Sequence, residues 1–187
     1  MKGRYMIEKY KTRTELLELI PEEAKMAEIG VFKGEFARDI IKIAQPAELY
    51  LVDIWEGTYG SGDKDGNNHE DIQDMSLTYL QLFHQTISKP NIHVVRVSSE
   101  KFLQSCEDNY FDCIYIDGDH IIDAVYRDLV NAFSKLKNGG MLMGHDYHYN
   151  VGGDVYGAVT RFCNEYNQTV SAIADDGCPS FLINIKK

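Results

Sequence analysis

Apolar residues along this chain fall into short unbroken runs separated by stretches with helical spacing, and that alternation predicts its elements. Met26–Val31, Leu49–Ile54, Ile92–Val97, Phe111–Ile116 and Met141–Gly144 are the runs, each bounded by polar or glycine-containing segments. Between them, Phe36, Ala37, Ile40, Ile41 and Ala44 share one face of a helix over Gly34–Ala44, and Ile72, Met75, Tyr79, Leu80, Phe83 and Ile87 recur in the same way. A short helix is predicted over Ser99–Cys106, and a longer one carries Ile122, Val125, Leu129, Ala132, Phe133 and Leu136 before Gly139–Gly140 stop it. A last helix carries Val155, Ala158, Val159, Phe162 and Tyr166. Two closing strands, around Thr169–Ala174 and Phe181–Ile185, are joined by Asp175–Pro179, short enough for a hairpin. Ahead of the first run, Thr12 and Glu15 form a predicted capping box for a short helix with Leu16, Leu17 and Ile20, ended by Pro21.

Strands that are apolar throughout, alternating with amphipathic helices, build a parallel sheet covered on both faces. The terminal hairpin makes one closing strand antiparallel. The expectation is a single doubly wound α/β domain over 1–187, mostly parallel and Rossmann-like, with a helical extension over 1–21. Ligands of such a sheet bind at the carboxyl ends of its strands. The stretch 56–68, EGTYGSGDKDGNN, has no periodicity and reads as a loop that could cover an acceptor.

Composition narrows the partners. With 19 Lys and Arg against 29 Asp and Glu the formal net charge is −10, and no basic cluster stands out to meet a phosphate backbone. A nucleic-acid substrate is disfavoured. No apolar run approaches the length of a membrane helix, and MKGRYMIEKYKTRTELLEL has no apolar h-region, so no membrane partner and a cytoplasmic location are expected. Cys106, Cys113, Cys163 and Cys178 show no CxxC spacing and read as free thiols. Oligomeric state is open, a homodimer being one option.

The first strand turns into its helix through Glu28-Ile29-Gly30-Val31-Phe32-Lys33-Gly34. Gly30 lets the backbone pass close to a ligand, and Gly34 opens the helix without a Cβ. Asp53 ends the second strand, where a carboxylate takes both hydroxyls of a ribose. A dinucleotide site calls for GxGxxG and a pyrophosphate on the helix N-terminus. Here the spacing is GxxxG with Glu28 just before it, which repels phosphate and suits a cationic ligand such as S-adenosylmethionine.

AEIGVFKGEFA, LYLVDIWEG, FDCIYIDGDH and GGMLMGHDY resemble the successive motifs of class I S-adenosylmethionine-dependent methyltransferases. The nearest group resembled is the small bacterial sugar and antibiotic O-methyltransferases, from about Thr14 to the C-terminus. The resemblance implies a seven-stranded sheet with an antiparallel last strand. It implies that Glu28, Gly30 and Gly34 line the methionine part, that Asp53 binds the ribose, that Ile54 and Trp55 flank the adenine, and that Ser99 reaches the adenine edge. Trp55 has the alternative of a half-buried surface aromatic.

Asp117, Asp119 and His120 leave the fourth strand, and His145 and Asp146 leave the fifth. Neighbouring strands lie roughly 4.8 Å apart, so Asp117 and Asp146 should point into one crevice. Two carboxylates so close repel unless a cation lies between them. Mg²⁺ suits oxygen ligands, and Mn²⁺ or another transition metal competes if His145 coordinates beside Asp117 and Asp146. The catechol-type O-methyltransferases, which the chain also resembles, hold their ion with an Asp after the fourth strand and an acidic pair after the fifth. Here that pair reads His145-Asp146. The alternative is that Asp117 orients the cofactor's amino group while Asp146 caps a turn. His120 is the candidate catalytic base beside Asp117, because an imidazole titrates near neutrality. Its rivals are His148 as the base and a purely structural role at the next helix's N-terminus. The favoured function is methyl transfer from S-adenosylmethionine to a hydroxyl of a small-molecule acceptor, a sugar or phenol. An NAD-dependent oxidoreductase and a non-catalytic nucleotide-binding module are the alternatives.

Overall fold

The computed structural model describes residues 7–56, 69–150 and 152–187. Its elements in chain order are β1 (Glu8–Tyr10), α1 (Arg13–Leu17), β2 (Lys25–Ile29), α2 (Glu35–Ile43), β3 (Glu48–Asp53), α3 (His69–Thr86) and β4 (Ile92–Arg96). There follow α4 (Ser99–Ser105), β5 (Phe111–Ile116), α5 (Ile122–Lys135), β6 (Leu136–Gly144), α6 (Asp154–Glu165), β7 (Ala172–Asp175) and β8 (Pro179–Asn184). The strands form one sheet in the order β1-β7-β8-β6-β5-β2-β3-β4, parallel except where β8 runs against β6 and β7.

Strand alternation divides the apolar side chains between two cores. Ala27, Ile29, Ile114 and Ile116 face α4, α5 and α6, packing with Phe102, Leu129 and Phe162. Met26, Leu49, Leu51, Cys113 and Tyr115 face the other way, onto Leu16, Phe36, Ile40 and Met75 of α1, α2 and α3. A strand buried on both faces has no polar side to alternate with, which is why these runs are apolar throughout.

Several boundaries move from where the sequence puts them. The sheet has eight strands rather than seven: Glu8–Tyr10 pairs in parallel with Ala172–Ala174 at the edge. A three-residue strand reading Glu-Lys-Tyr carries no apolar signal. The extension over 1–21 is therefore part strand, and α1 within it is only five residues long. Its capping box is displaced, since Glu15 accepts from the backbone of Lys11 and Thr12 makes no side-chain cap. Gly139 and Gly140 do not end α5, which stops at Lys135; they lie inside β6, where the pairing with β5 shifts register. On α3 the buried stripe is Met75, Leu82 and Thr86, while Leu80 and Phe83, and Ile87 just beyond its end, point outward. Apart from Glu56, the candidate lid over 56–68 lies outside the described residues.

Consecutive strands proceed outward from β2 through β3 to β4, but β5 returns to the opposite flank of β2. The loops leaving β2 and β5 therefore part at the switch between them, and a crevice opens there. Gly30 makes the separation possible. It sits at φ +88°, and a Cβ built on it would lie 2.1 Å from the Asp117 carbonyl oxygen. Gly30 also donates to the Val52 carbonyl, and Asp117 donates to that of Ile29, so three strand ends are tied together at this one residue. Gly30→Ala combines left-handed backbone strain with a backbone clash, each on the order of 1–3 kcal/mol. Chemical denaturation should show a loss of at least about 2 kcal/mol; a loss under about 0.5 kcal/mol would mean that the loops part without strain.

Candidate functional site

The crevice at the switch encloses about 840 Å³. Glu28, Gly30, Asp53 and Ile54 line one side, Ser99, Asp117, His120 and Asp128 the other, and Arg13 and Phe36 close the α1–α2 end.

Glu28, expected from the sequence to line the methionine part, is the most buried carboxyl of this crevice. It is only 1% exposed, and its Oε2 has no hydrogen-bond partner. Burial first, and then the charge of Asp117, pushes its carboxyl well above the ordinary range, against the pull of Arg13. A buried carboxyl with an unpaired oxygen is costly unless a ligand completes it. Arg13, which the sequence reading missed, comes from the first turn of α1. Its guanidinium lies 4.5 Å over the Phe36 ring and 3.7 Å from Asp117 Oδ2. Only the packing of α1 against α2 brings it here, so nothing in the local sequence marks it.

Asp53 reaches back from the end of β3 to the loop after β2. Its Oδ2 accepts from the backbone N–H groups of Val31 and Phe32 at 2.9 and 2.8 Å, and its Oδ1 from Trp55 N–H at 2.9 Å. The carboxylate thus shapes the Gly30 loop as well as facing the crevice. Ile54 lines the crevice. Trp55, expected to flank an adenine, does not. It is fully buried, donates from Nε1 to the Phe32 carbonyl and packs on Tyr79 of α3. Its backbone turns at φ +41°, and the indole fills the core beneath α3 instead of the ligand space. Gly34 also stands outside the lining: it is the N-cap of α2 at φ +71°, with Leu82 where a side chain would go.

Ser99 lines the far wall and donates to Asp128 Oδ1 at 2.9 Å. Asp128 is buried on α5, and burial raises its pKa to about 6, opposed by Ser99 and by Arg127.

On the β5–β6 side the two loops do meet. Asp117 and Asp146 are bridged by His120, whose Nε2 lies 3.0 Å from Asp146 Oδ2 and 3.9 Å from Asp117 Oδ1. Asp117 and Asp146 together push the imidazole up to about 10, so it is protonated at neutral pH instead of titrating there. The imidazole thus lies between the two carboxylates that were expected to need a cation. Asp146 is held well below the usual carboxylate range, first by His120 and then by His145. His145 Nδ1 lies 3.4 Å from Asp146 Oδ2 and 3.8 Å from Asp117 Oδ1, so the three groups expected to hold a metal are brought together. His148 comes within 3.8 Å of Asp146. A further member is Cys178, from the β7–β8 turn, whose thiol donates to Asp146 Oδ1 at 2.9 Å. It lies 32 residues beyond Asp146, too far for a sequence motif to connect them.

Asp128 offers a pH test. Its folded pKa is raised above the unfolded value, so the folded state binds the extra proton, and stability falls as pH climbs from about 4 to 6. Asp128→Asn keeps an acceptor for Ser99 and removes the buried charge. Its melting temperature should exceed that of the parent at pH 7.5, where the raised pKa corresponds to a penalty on the order of 2–3 kcal/mol. The advantage should vanish near pH 4. Equal melting at both pH values would show that Asp128 is not a charged buried group.

Comparison with known proteins adds the family. Residues 27–147 match the model of a family described as a methyltransferase domain. Among curated proteins none matches the sequence significantly. Solved structures do. The O-methyltransferase NovP superposes with a TM-score of 0.68 at 14% identity, covering 94% of this chain and 80% of its own. Fibrillarin from Aeropyrum pernix, with natively bound S-adenosyl-L-methionine, gives 0.61 at 14% identity over 91% of this chain and 72% of its own. Spermidine synthase from Thermotoga maritima gives 0.60 at 17% identity over 94% of this chain, which spans only 57% of that enzyme. These likenesses establish the fold, a class I methyltransferase-like sheet. The family match runs from β2 through the loop after β6, well over half the chain and nearly all of the crevice wall, and on that extent the chain belongs to the methyltransferase-domain family.

Proposed function

We propose that this protein transfers the methyl group of S-adenosylmethionine to a hydroxyl of a small-molecule acceptor, a sugar or a phenol. The observation that carries the cofactor is Glu28, buried in the crevice wall with an unpaired oxygen. An ammonium or sulfonium favours the charged form of that carboxyl and pairs with it, whereas a pyrophosphate brings the buried acid no compensating charge, which disfavours NAD. Gly30 clears the space beside Glu28, and Arg13, across from it, suits the cofactor's own carboxylate. Asp53 takes the ribose on the strength of its place at the end of β3, and Ile54 and the Ser99–Asp128 pair lie along the wall toward the base.

The acceptor side is the cluster around Asp146. The sulfonium already activates the methyl carbon, so the protein aligns the acceptor and receives its proton. His120 stands at the crevice wall to do so once its own proton is displaced, and Asp117 and Asp146 orient its ring. Asp117, His145 and Asp146 suit a divalent ion, and an imidazole in the set favours Mn²⁺ or another transition metal over Mg²⁺. Such an ion, by cancelling the carboxylate charge, would return His120 toward its ordinary value and lower the pKa of an acceptor hydroxyl. The four unpaired thiols fit the cytoplasmic setting we propose, and no helix among the described residues is long and apolar enough to cross a membrane.

Calorimetry tests the cofactor. S-adenosylmethionine or S-adenosylhomocysteine should bind, and Asp53→Ala should weaken binding at least ~10-fold through lost charge-assisted hydrogen bonds. The same variant should melt earlier, because Val31, Phe32 and Trp55 lose their acceptor. Unchanged affinity would remove Asp53 from the ribose.

Release of S-adenosylhomocysteine across a panel of sugars and phenols tests the reaction. With a true acceptor, His120→Ala should lower turnover roughly 10²–10⁴-fold while cofactor affinity stays put. EDTA should depress the parent enzyme. Full activity after EDTA treatment would reject the ion, and full activity of His120→Ala would move the proton to His148.

A further inference from the structure

The loop after β6 and the β7–β8 turn are locked together by backbone. Asp146 sits at φ +56°, and Tyr147 N–H donates to the Pro179 carbonyl at 2.8 Å. That lock sets Cys178, at the turn, against the face of Asp146 opposite His120. The thiol contacts Oδ1, while His120 and His145 contact Oδ2. A non-glycine residue held at positive φ is strained backbone, and such strain gathers at functional sites.

We propose that His145, Asp146 and Cys178 form a binding site for a zinc-class divalent transition-metal ion. The inference builds on the metal reading above and changes it: Cys178 replaces Asp117 as a ligand, and the sulfur selects against Mg²⁺. One ligand atom from each of the three residues lies within 4.8 Å of the others, with no movement of the backbone. Around a tetrahedral ion with Zn–S near 2.3 Å and Zn–N and Zn–O near 2.0–2.2 Å, ligand atoms stand about 3.4–3.6 Å apart. His145 Nδ1 and Asp146 Oδ2 are already 3.4 Å apart. The sulfur is closer to Oδ1, at 2.9 Å, where it is hydrogen-bonded as a thiol; a thiolate has no proton to donate and would be repelled from that carboxylate until an ion lies between them. His148 Nε2 flanks the set at 3.7 Å from the sulfur.

The donors are one thiolate, one imidazole and one carboxylate, the soft-to-borderline mixture that takes zinc in preference to magnesium. Charge balances as well: the thiolate and carboxylate carry two negative charges for a dication, and the thiol proton passes to solvent as the Zn–S bond forms. An ion here would fasten the β7–β8 turn to the loop that carries Asp146. Through Asp146 it would fix the position of His120. The ion's place is thus beside the crevice, with Cys178 acting as a ligand and a positioning residue.

The test is binding, independent of turnover. Protein stripped by a chelator and titrated with zinc against a chromophoric competitor should take up one equivalent. Cys178→Ser should weaken that site by more than the about 10–100-fold that loss of a supporting partner costs. Asp117→Asn should retain most of it. Cobalt substitution should give a sulfur-to-cobalt charge-transfer band in the near ultraviolet that Cys178→Ser lacks. Unchanged circular dichroism and melting of the metal-free variant would establish that Cys178→Ser folds. No zinc uptake, uptake indifferent to Cys178 but abolished by Asp117→Asn, or no charge-transfer band would each overturn the site. Zinc bound through Cys178 alongside full activity in EDTA would keep this inference and reject the ion's role in turnover. An EDTA-sensitive enzyme indifferent to Cys178→Ser would do the reverse.

Discussion

The site depends on how closely the backbones of two strand ends approach one another at Gly30. The β2 and β5 chains run side by side, and their exits must diverge within a residue or two for a crevice to exist. With the Asp117 carbonyl oxygen 2.1 Å from where a Cβ would be, only glycine permits that divergence while the bonds to Val52 and Ile29 persist. Glu28 is in the crevice wall because it precedes this residue, and Asp53 can reach the Val31 and Phe32 amides because the loop bends here. The carboxylate then returns the favour by holding the bend.

Electrostatics follow from that geometry. The divergence leaves Glu28, Asp53, Asp117 and Asp128 around one space, with Arg13 as the cation drawn in from α1. Carboxylates in such numbers are tolerated when each has a partner, and most do: amides for Asp53, Ser99 for Asp128, Arg13 and His120 for Asp117. Glu28 is the exception, and an exception of this kind points outward to a ligand. The cost of that unpaired group is the physical reason for preferring a cationic cofactor to a phosphate-bearing one. A chain of net charge −10 also concentrates cations near such a space.

How much of this was legible in the sequence varied with the distance over which the cause acts. The parallel strands, the amphipathic helices and the antiparallel β8 follow from local periodicity, and their limits moved by only a few residues. The pairing of the β5 and β6 ends, and so the meeting of Asp117 with Asp146, follows from strand order. What did not show were contacts made across the chain. Arg13 arrives on a five-residue helix, and Cys178 arrives on a turn fixed by Tyr147. Glu8–Tyr10 joins the sheet through backbone bonds that need no apolar side chain. Trp55 shows the opposite failure. It follows a strand that carries a site residue, yet its positive φ swings the indole into the core beneath α3. Likewise the second apolar stripe of α3 could not be told from the buried one, because both have helical spacing.

His120 illustrates why composition of a site does not settle its chemistry. An imidazole is expected to titrate near neutrality, and in isolation it would. Between Asp117 and Asp146 its pKa is instead raised to about 10, because the protonated ring pairs with both strand-end carboxylates. A dication and this proton therefore compete for the same carboxylates. An ion held by His145, Asp146 and Cys178 would share the Asp146 carboxylate with His120, so it would act on both the position and the charge of that ring. His120 and the sulfur-bearing turn meet at one carboxylate, although they lie on different parts of the chain. Asp146 is thus the residue through which the β7–β8 turn reaches His120 at the crevice wall.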